Sequence, residues 1–238
     1  MKKVLLILFL LFCSRPADGQ VLIALLFGDK LNTGKIEFGL DGGLNLASMG
    51  GVEGAENLKA FNLGFYFDVK LGSPSWMIHT GVIVVSTMGA DGVPVYSLND
   101  PELDAEFSGG SVTRKLSYFN VPVMIKYRSA NRFHAEGGIQ LGLLYGAEDV
   151  FKNTVPGQGD LTYTTKIRDQ YHPLDAGAVV GVGYRLLGDN GIALSVRYYF
   201  GFIDVLIDDA TPNQFNRSIY FTAGIPIGSS KAPKEDNK

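Results

Sequence analysis

The chain has 238 residues, 46% of them hydrophobic and 19% charged, which is typical of one domain and excludes neither a soluble nor a membrane protein. Its formal net charge of -3 gives no basic excess for binding a phosphate backbone, so nucleic acid is not an expected partner. The 30 glycines, 15 phenylalanines and 11 tyrosines favour short strands in a curved, closed sheet.

The first 19 residues have the three regions of a secretory signal peptide. Lys2 and Lys3 form the positive region, Val4 to Phe12 the apolar region, and Ala17 to Gly19 the small-residue cleavage site. The apolar region is too short to span a bilayer, which needs about 20 residues. We therefore predict cleavage before Gln20 and export from the cytoplasm.

The segment after the predicted cleavage site, residues 20–34, precedes the first regular pattern and is predicted to be an N-terminal periplasmic segment. Its apolar part could form a periplasmic flap, a plug or part of a longer first strand. The single cysteine, Cys13, lies in the signal peptide. The mature chain is therefore expected to have neither a disulfide framework nor a thiolate metal site.

Eight later segments alternate apolar and polar residues with a period of two, as strands with one apolar face do. In the clearest one, Phe61, Leu63 and Phe65 share one face, and Asn62 and Asp68 lie on the other. The predicted strands are Lys35–Leu46, Ala60–Leu71, Trp76–Thr87, Leu116–Tyr127, Arg132–Tyr145, Leu174–Tyr184, Ile192–Phe202 and Ser218–Gly228.

The connections between these strands alternate strictly in length. Those after the second, fourth and sixth strands are short, at residues 72–75, 128–131 and 186–191, whereas residues 47–59, 88–115, 146–173 and 203–217 form long connections. Outer-membrane barrels have short periplasmic turns and long extracellular loops. The pattern predicts an all-β fold, an eight-stranded antiparallel transmembrane β-barrel over residues 35–228, followed by a polar tail over residues 229–238.

Aromatic residues on the apolar faces sort to the two ends of the predicted strands, as in the interfacial girdles of membrane barrels. Those near the short turns are Trp76, Tyr127, Phe133 and Tyr184. Those near the long connections are Phe61, Phe119, Tyr145 and Phe200. A soluble sandwich or lipocalin-like barrel would account for the number of aromatic residues but not for this sorting.

The opposite, inward-facing set contains charges of both signs. Its members are Glu37, Asp41, Asp68, Lys70, Lys126, Glu136, Asp175 and Arg197. An eight-stranded barrel is only wide enough to be filled by side chains, and unpaired ions there would be costly. The set therefore predicts a salt-bridge network that closes the lumen, with a narrow gated ion path as the alternative.

Three stretches resemble a known family: Phe38 to Asn45, Leu116 to Tyr127, and Glu136 to Gly142. They resemble the PorT-type group of small bacterial outer-membrane β-barrels, often described as the outer membrane protein beta-barrel domain. The resemblance extends over residues 35–228 and implies an eight-stranded barrel in the outer membrane without one activity. The name-giving branch is linked to protein secretion and gliding.

The last strand departs from the usual barrel ending. Such barrels often finish on an aromatic residue that the assembly machinery recognises, whereas this strand ends at Ile227 and Gly228 and is followed by the tail. Phe221 could serve as the recognised residue instead.

Candidate catalytic or metal-binding residues are few. His79 and His134 face the predicted lumen as hydrogen-bonded fillers, and His172 lies near Asp169 and Asp175 at the rim without a serine partner. The acidic residues between positions 91 and 106 lack calcium-loop spacing, and no nucleotide-binding or zinc motif is present. We predict no catalytic residue, no metal and no cofactor.

The sequence therefore predicts a non-enzymatic outer-membrane barrel that acts through its long loops in adhesion, partner binding or envelope integrity. Expected partners are outer-membrane lipid, the outer-membrane assembly machinery and an unidentified extracellular ligand or protein. Four alternatives remain open: a narrow porin-like channel, a component of protein secretion, a rim lipid hydrolase and a soluble periplasmic β protein.

Overall fold

Strands make up nearly all of the regular structure. A computed structural model describes residues 33–155, 159–186, 188, 191–207 and 212–227. The predicted signal peptide (1–19), nearly all of the predicted periplasmic segment (20–34) and the predicted tail (229–238) lie outside these residues.

Ten strands and one short helix follow one another along the described residues. The first five strands are β1 (Ile36–Gly50), β2 (Leu58–Leu71), β3 (Ser73–Val85), β4 (Thr87–Val93) and β5 (Ser111–Arg128), with helix α1 (Pro101–Phe107) before β5. The others are β6 (Phe133–Val155), β7 (Gly159–Lys166), β8 (Leu174–Arg185), β9 (Ala193–Gly201) and β10 (Phe215–Pro226), with a 3-10 turn at Arg168–Gln170.

The sheet closes on itself as an eight-strand ring in which every pairing is antiparallel. Around the ring the order is β1, β2, β3 with β4, β5, β6, β8, β9 and β10. Strands β3 and β4 share one position because both pair with β5. The seam between β1 and β10 runs without a register shift from Gly39 opposite Pro226 to Gly50 opposite Phe215.

The prediction of an all-β antiparallel fold is confirmed, and each of the eight predicted strands is found in the ring. The prediction was wrong where it treated residues 88–115 and 146–173 as loops. These residues contain β4, α1, β7 and long continuations of β5 and β6. In β6 the reason is a register shift at Ser117/Tyr118, beyond which the buried positions change from even to odd numbers. In β5 the parity is kept, but residues 112–114 are all buried, so the simple alternation is lost.

We call the strands and the helix beyond this register shift the extension. It comprises Thr87–Val93, Pro101–Phe107, 111–117, 146–155 and Gly159–Lys166. Its apolar core is continuous with that of the upper ring. In this core Phe151 is fully buried, and its ring centroid lies 5.9 Å from that of Phe107. The α1 helix begins after Asp100, whose side chain accepts hydrogen bonds from the first-turn amides. The extension is therefore a packed structure that continues the ring wall.

Below the extension, the ring has an apolar outer surface and a polar interior. On β5, Val121, Val123 and Ile125 are exposed outside, whereas Asn120 and Lys126 are buried inside. We call the exposed residues the apolar belt. Its members include Leu44, Phe61, Trp76, Phe119, Val121, Val123, Ile125, Tyr127, Phe133, Ile139, Leu141, Leu143, Tyr145, Val180, Val182, Leu194, Val196, Tyr198, Phe200, Ile219, Phe221 and Ile225.

Ring closure depends on close backbone approach at Gly43, where a Cβ atom would collide with the carbonyl oxygen of Phe221 on β10. We expect Gly43→Ala to lower the free energy of unfolding by about 1–3 kcal/mol, because the seam must shift to make room. Gly50→Ala is the matched control, since its Cβ would lie 3.8 Å from the oxygen of Phe215. Urea unfolding in detergent would measure both variants, and equal stabilities would contradict the prediction.

Candidate functional site: the ion-pair cluster inside the ring

Charged residues from six strands meet inside the ring. Inward positions alternate along each strand, so that β1 contributes Glu37 and Asp41, and the neighbouring β2 contributes Asp68. Lys126 of β5 and Glu136 of β6 are directly opposite in the ladder, and both are buried.

Asp68 is the acceptor at one centre of the cluster. The Lys126 Nζ atom lies 3.0 Å from one carboxylate oxygen of Asp68, and the His79 Nδ1 atom lies 2.6 Å from the other. The His79 ring also stacks on Tyr66, with centroids 5.5 Å apart. These contacts hold a fully buried carboxylate in place with charge-assisted hydrogen bonds.

Arg197 joins three strands at the other centre of the cluster. Its guanidinium donates to Glu136 of β6 and to Asp41 of β1, and it lies 3.3 Å from the His79 Nε2 atom. Lys126 lies 3.8 Å from Glu136 and therefore connects this centre to Asp68. The two centres form one continuous network across the interior.

A third group of contacts closes the end of the ring near the short connections. Arg185 donates to both carboxylate oxygens of Glu37, and Tyr66 donates to Glu37 at 2.9 Å. Arg128 lies 3.8 Å from Glu37 and 3.6 Å from Asp68.

Among the described residues, the interior ion-pair cluster is balanced. It contains four carboxylates (Glu37, Asp41, Asp68, Glu136) and four cations (Lys126, Arg128, Arg185, Arg197), together with His79. Ions removed from water are tolerated only when they are paired. The cavity that remains beside Asp41, His79 and Arg197 has a volume of about 10 Å³, room for no more than about one water molecule.

Two of the eight residues predicted for the network lie elsewhere. Lys70 is exposed at the end of β2 and donates to the Gly34 carbonyl oxygen at 3.0 Å. Asp175 is buried higher in the ring, where Asn216 donates to it at 2.8 Å. Lys70 faces solvent because it is the last inward position before the turn.

Arg128 and Arg185 were not included in the predicted set although both belong to the cluster. Each follows the last residue of a predicted strand by one position and was therefore left outside the predicted strands. The alternation itself gave the signal, because Lys126 to Arg128 and Gly183 to Arg185 both continue the inward parity.

The residues predicted to form aromatic girdles meet as cross-strand pairs on the outer surface. At the end with the short connections, Trp76 and Tyr127 lie 4.9 Å apart, and Phe133 and Tyr184 lie 4.8 Å apart, measured between ring centroids. At the opposite end, Phe119 and Tyr145 lie 4.5 Å apart. Of the remaining two predicted members, Phe61 is exposed, and the Phe200 ring lies 3.7 Å from the Arg217 guanidinium.

The extension contains a buried ion pair of its own. Arg114 donates to Asp149 at 2.9 and 2.6 Å in a two-point contact, and Tyr96 donates to the same carboxylate at 2.9 Å. Burial and the charge of Asp149 raise the pKa of Tyr96, which keeps this phenol protonated as a donor. Through Tyr96, Asp149 connects the β4–β5–β6 sheet to the segment that precedes α1.

The histidines do not assemble a catalytic group in the described part of the chain. His172 is exposed, whereas Asp175 is buried inside the ring. His134 lies 3.0 Å from Ser195 within the wall, where both are buried. Residues 33–155, 159–186, 188, 191–207 and 212–227 contain no group of three or more metal-ligating side chains. Nor do they include a helix with the length and hydropathy needed to cross a membrane.

Residues 27–206, well over half of the chain, match the family described as the outer membrane protein beta-barrel domain. The chain belongs to this family. Membership supports a location in the bacterial outer membrane, as the sequence predicted. No curated protein matches the chain.

Several solved structures resemble this outer membrane β-barrel domain at low identity. The attachment invasion locus protein Ail of Yersinia pestis, in complex with the heparin analogue sucrose octasulfate, is 12% identical, with a TM-score of 0.42 over 81% of this chain and 99% of Ail. Neisserial surface protein A is 12% identical, with a TM-score of 0.40 over 82% and 97%. OprG from Pseudomonas aeruginosa is 11% identical, with a TM-score of 0.31 over 80% and 91%. Because these TM-scores are below 0.5, the family assignment rests on the sequence match.

Removing Arg197 leaves Glu136 and Asp41 buried without their main partner. We expect Arg197→Ala to lower the free energy of unfolding by about 3–5 kcal/mol, the range for breaking a buried ion pair from one side. Lys70→Ala, which removes an exposed cation, should change it by no more than about 0.5 kcal/mol. Urea unfolding in lipid vesicles gives both values, and an equally small effect of the two substitutions would show that the cluster is not structural.

Proposed function

We propose that the chain crosses the outer membrane as its eight-strand ring, does not conduct through its interior, has no catalytic activity, and acts through the extension on the cell surface. The observation that carries this proposal is the contrast between the apolar belt outside the ring and the balanced ion-pair cluster inside it. A soluble barrel requires the opposite distribution.

The outer surface supports direct contact with lipid. Belt residues such as Val123, Ile139 and Leu141 are 44–50% exposed. In hydrocarbon, backbone groups must be paired within the protein, and a closed ring of strands satisfies this requirement. The paired rings at each end of the belt, Trp76 with Tyr127 and Phe119 with Tyr145, suit the two membrane–water interfaces.

The interior supports a sealed pore. The ion-pair cluster spans the ring from Glu37 to Arg197, and the cavity beside Asp41 and Arg197, of about 10 Å³, is too small for a hydrated ion. Each cation is held by at least one carboxylate, so opening a path would require separating buried pairs. This arrangement favours the structural role of the cluster over the porin-like channel.

The two ends of the ring suggest its orientation. At one end of the ring the connections are short: Gly72 alone joins β2 to β3, and residues 129–132 join β5 to β6. The opposite end carries the extension. By the general rule for outer-membrane barrels, the short end faces the periplasm. The extension is then the largest surface offered to the exterior, and it is held rigid by its core and by the Arg114–Asp149 pair.

The narrower assignments are part of the same proposal. Membership of the PorT-type group, with its link to secretion, rests on the three sequence stretches alone. Recognition by the assembly machinery would involve β10, where Phe221 is an exposed aromatic residue of the belt.

Topology can be tested with single cysteines in a chain whose only cysteine, Cys13, is replaced by serine. We expect Thr162→Cys, at an exposed position of β7, to react with a membrane-impermeant maleimide on intact cells. Asn131→Cys, in the short connection after β5, should react only after the outer membrane is permeabilised. The reverse pattern would invert the proposed orientation, and equal labelling of both would contradict membrane insertion.

The sealed interior predicts electrical silence. We expect the refolded wild-type chain to give no conductance steps in a planar bilayer. The double variant Arg197→Ala/Asp41→Ala should give conductance steps, because it removes both members of one pair and widens the interior while Glu136 keeps Lys126 as a partner. Steps from the wild type that change in size in the single Glu136→Ala variant would instead establish the channel.

A further inference from the structure

Strand β7 lies in the extension with one backbone edge unpaired. It pairs with β6 over its whole length, from Glu148 opposite Lys166 to Val155 opposite Gly159, without a register shift. Within the described residues, no backbone hydrogen bond joins β7 to a second strand, and β7 is one end of the strand order. Most of its side chains are exposed.

Strand β4, at the other end of the strand order, does not have a free edge. Its edge is occupied by reciprocal backbone hydrogen bonds between Asp91 and Glu56, of 2.7 and 3.0 Å, and by the Asn45 side chain on the Thr87 carbonyl oxygen. Among the described residues, no comparable backbone or side-chain hydrogen bond occupies the free edge of β7. Strand β7 also lacks the proline, bulge or short length that commonly blocks pairing at an edge strand.

The sequence of β7 is self-complementary about Tyr163. If a second copy of β7 pairs antiparallel around this residue, Asp160 comes opposite Lys166 twice, Thr162 comes opposite Thr164, and Tyr163 comes opposite itself. Opposite charges and threonine pairs directly across a ladder are stabilising. A register displaced by two residues in either direction removes both charge pairs.

The face formed by Leu161, Tyr163 and Thr165 suits the same partner. The Tyr163 ring is 38% exposed, and its centroid lies 6.4 Å from those of Phe107 and Phe151. A Tyr163 ring from a second copy would extend this aromatic cluster across the edge.

We propose that β7 pairs with β7 of a second copy of this chain, and that the second copy stands in an apposed membrane. The two-fold axis of an antiparallel strand pair is perpendicular to the sheet. Here the sheet continues the ring wall, so the axis lies in the plane of the membrane and inverts the second copy. The proposal rests on the proposed function, in that the extension must lie outside the cell.

An eight-residue strand pair buries less surface than a stable soluble dimer needs. Association between single molecules is therefore weak, and many copies on two facing membranes act together. The structure thus points to contact between like cells through many weak strand pairs.

The test uses vesicles containing the refolded mature chain, with turbidity and dye mixing as readouts of contact between vesicles. Wild-type vesicles should aggregate. Vesicles with only Asp160→Lys, or with only Lys166→Asp, should lose aggregation because each places like charges opposite one another. Mixing these two populations should restore contact, since every pair across the strands is then Lys opposite Asp.

The outcomes separate the proposals. Heat-modifiable gel mobility of each variant reports whether the ring is folded and inserted, so its loss would contradict the proposed function. Folded wild-type vesicles that stay dispersed would overturn β7 self-pairing and leave the edge to a strand of a different protein. Aggregation that survives both single reversals, or mixed populations that stay dispersed, would overturn the register about Tyr163.

Discussion

Closure of the sheet between β1 and β10 is the constraint on which the rest of the structure depends. Once the first and last strands pair, every strand of the ring has two neighbours, and the backbone can face an apolar surrounding. Closure also makes the interior narrow, so that inward side chains from opposite walls touch. The apolar belt and the ion-pair cluster are the two consequences of this single event.

The cluster combines charge balance with connection between distant strands. Glu37 and Arg185 come from β1 and β8, and Asp41 and Arg197 from β1 and β9, so each pair joins walls that share no ladder. The ion pairs therefore hold together parts of the ring that backbone hydrogen bonds do not. A filled interior of this kind leaves the exterior as the place where the protein can meet other molecules.

Sequence alternation predicted the ring strands well because one face of each must be apolar and the other polar. It predicted Glu37, Asp68 and Arg197 inside for the same reason. It failed in the extension, where β6 changes phase at the register shift opposite Ser117 and consecutive residues of β5 are buried. It also omitted Arg128 and Arg185, since a charge at a strand end is equally compatible with a turn.

The length of β6 has a mechanical consequence. Its 23 residues run from the short connection after β5 to the outer tip of the extension, and β7 is attached to the upper part by a regular ladder. In the proposed orientation, a pull on β7 away from the membrane would run along the strands, so the hydrogen bonds of the ladder would be loaded together in shear instead of one after another. The load would then pass along β6 into the ring wall.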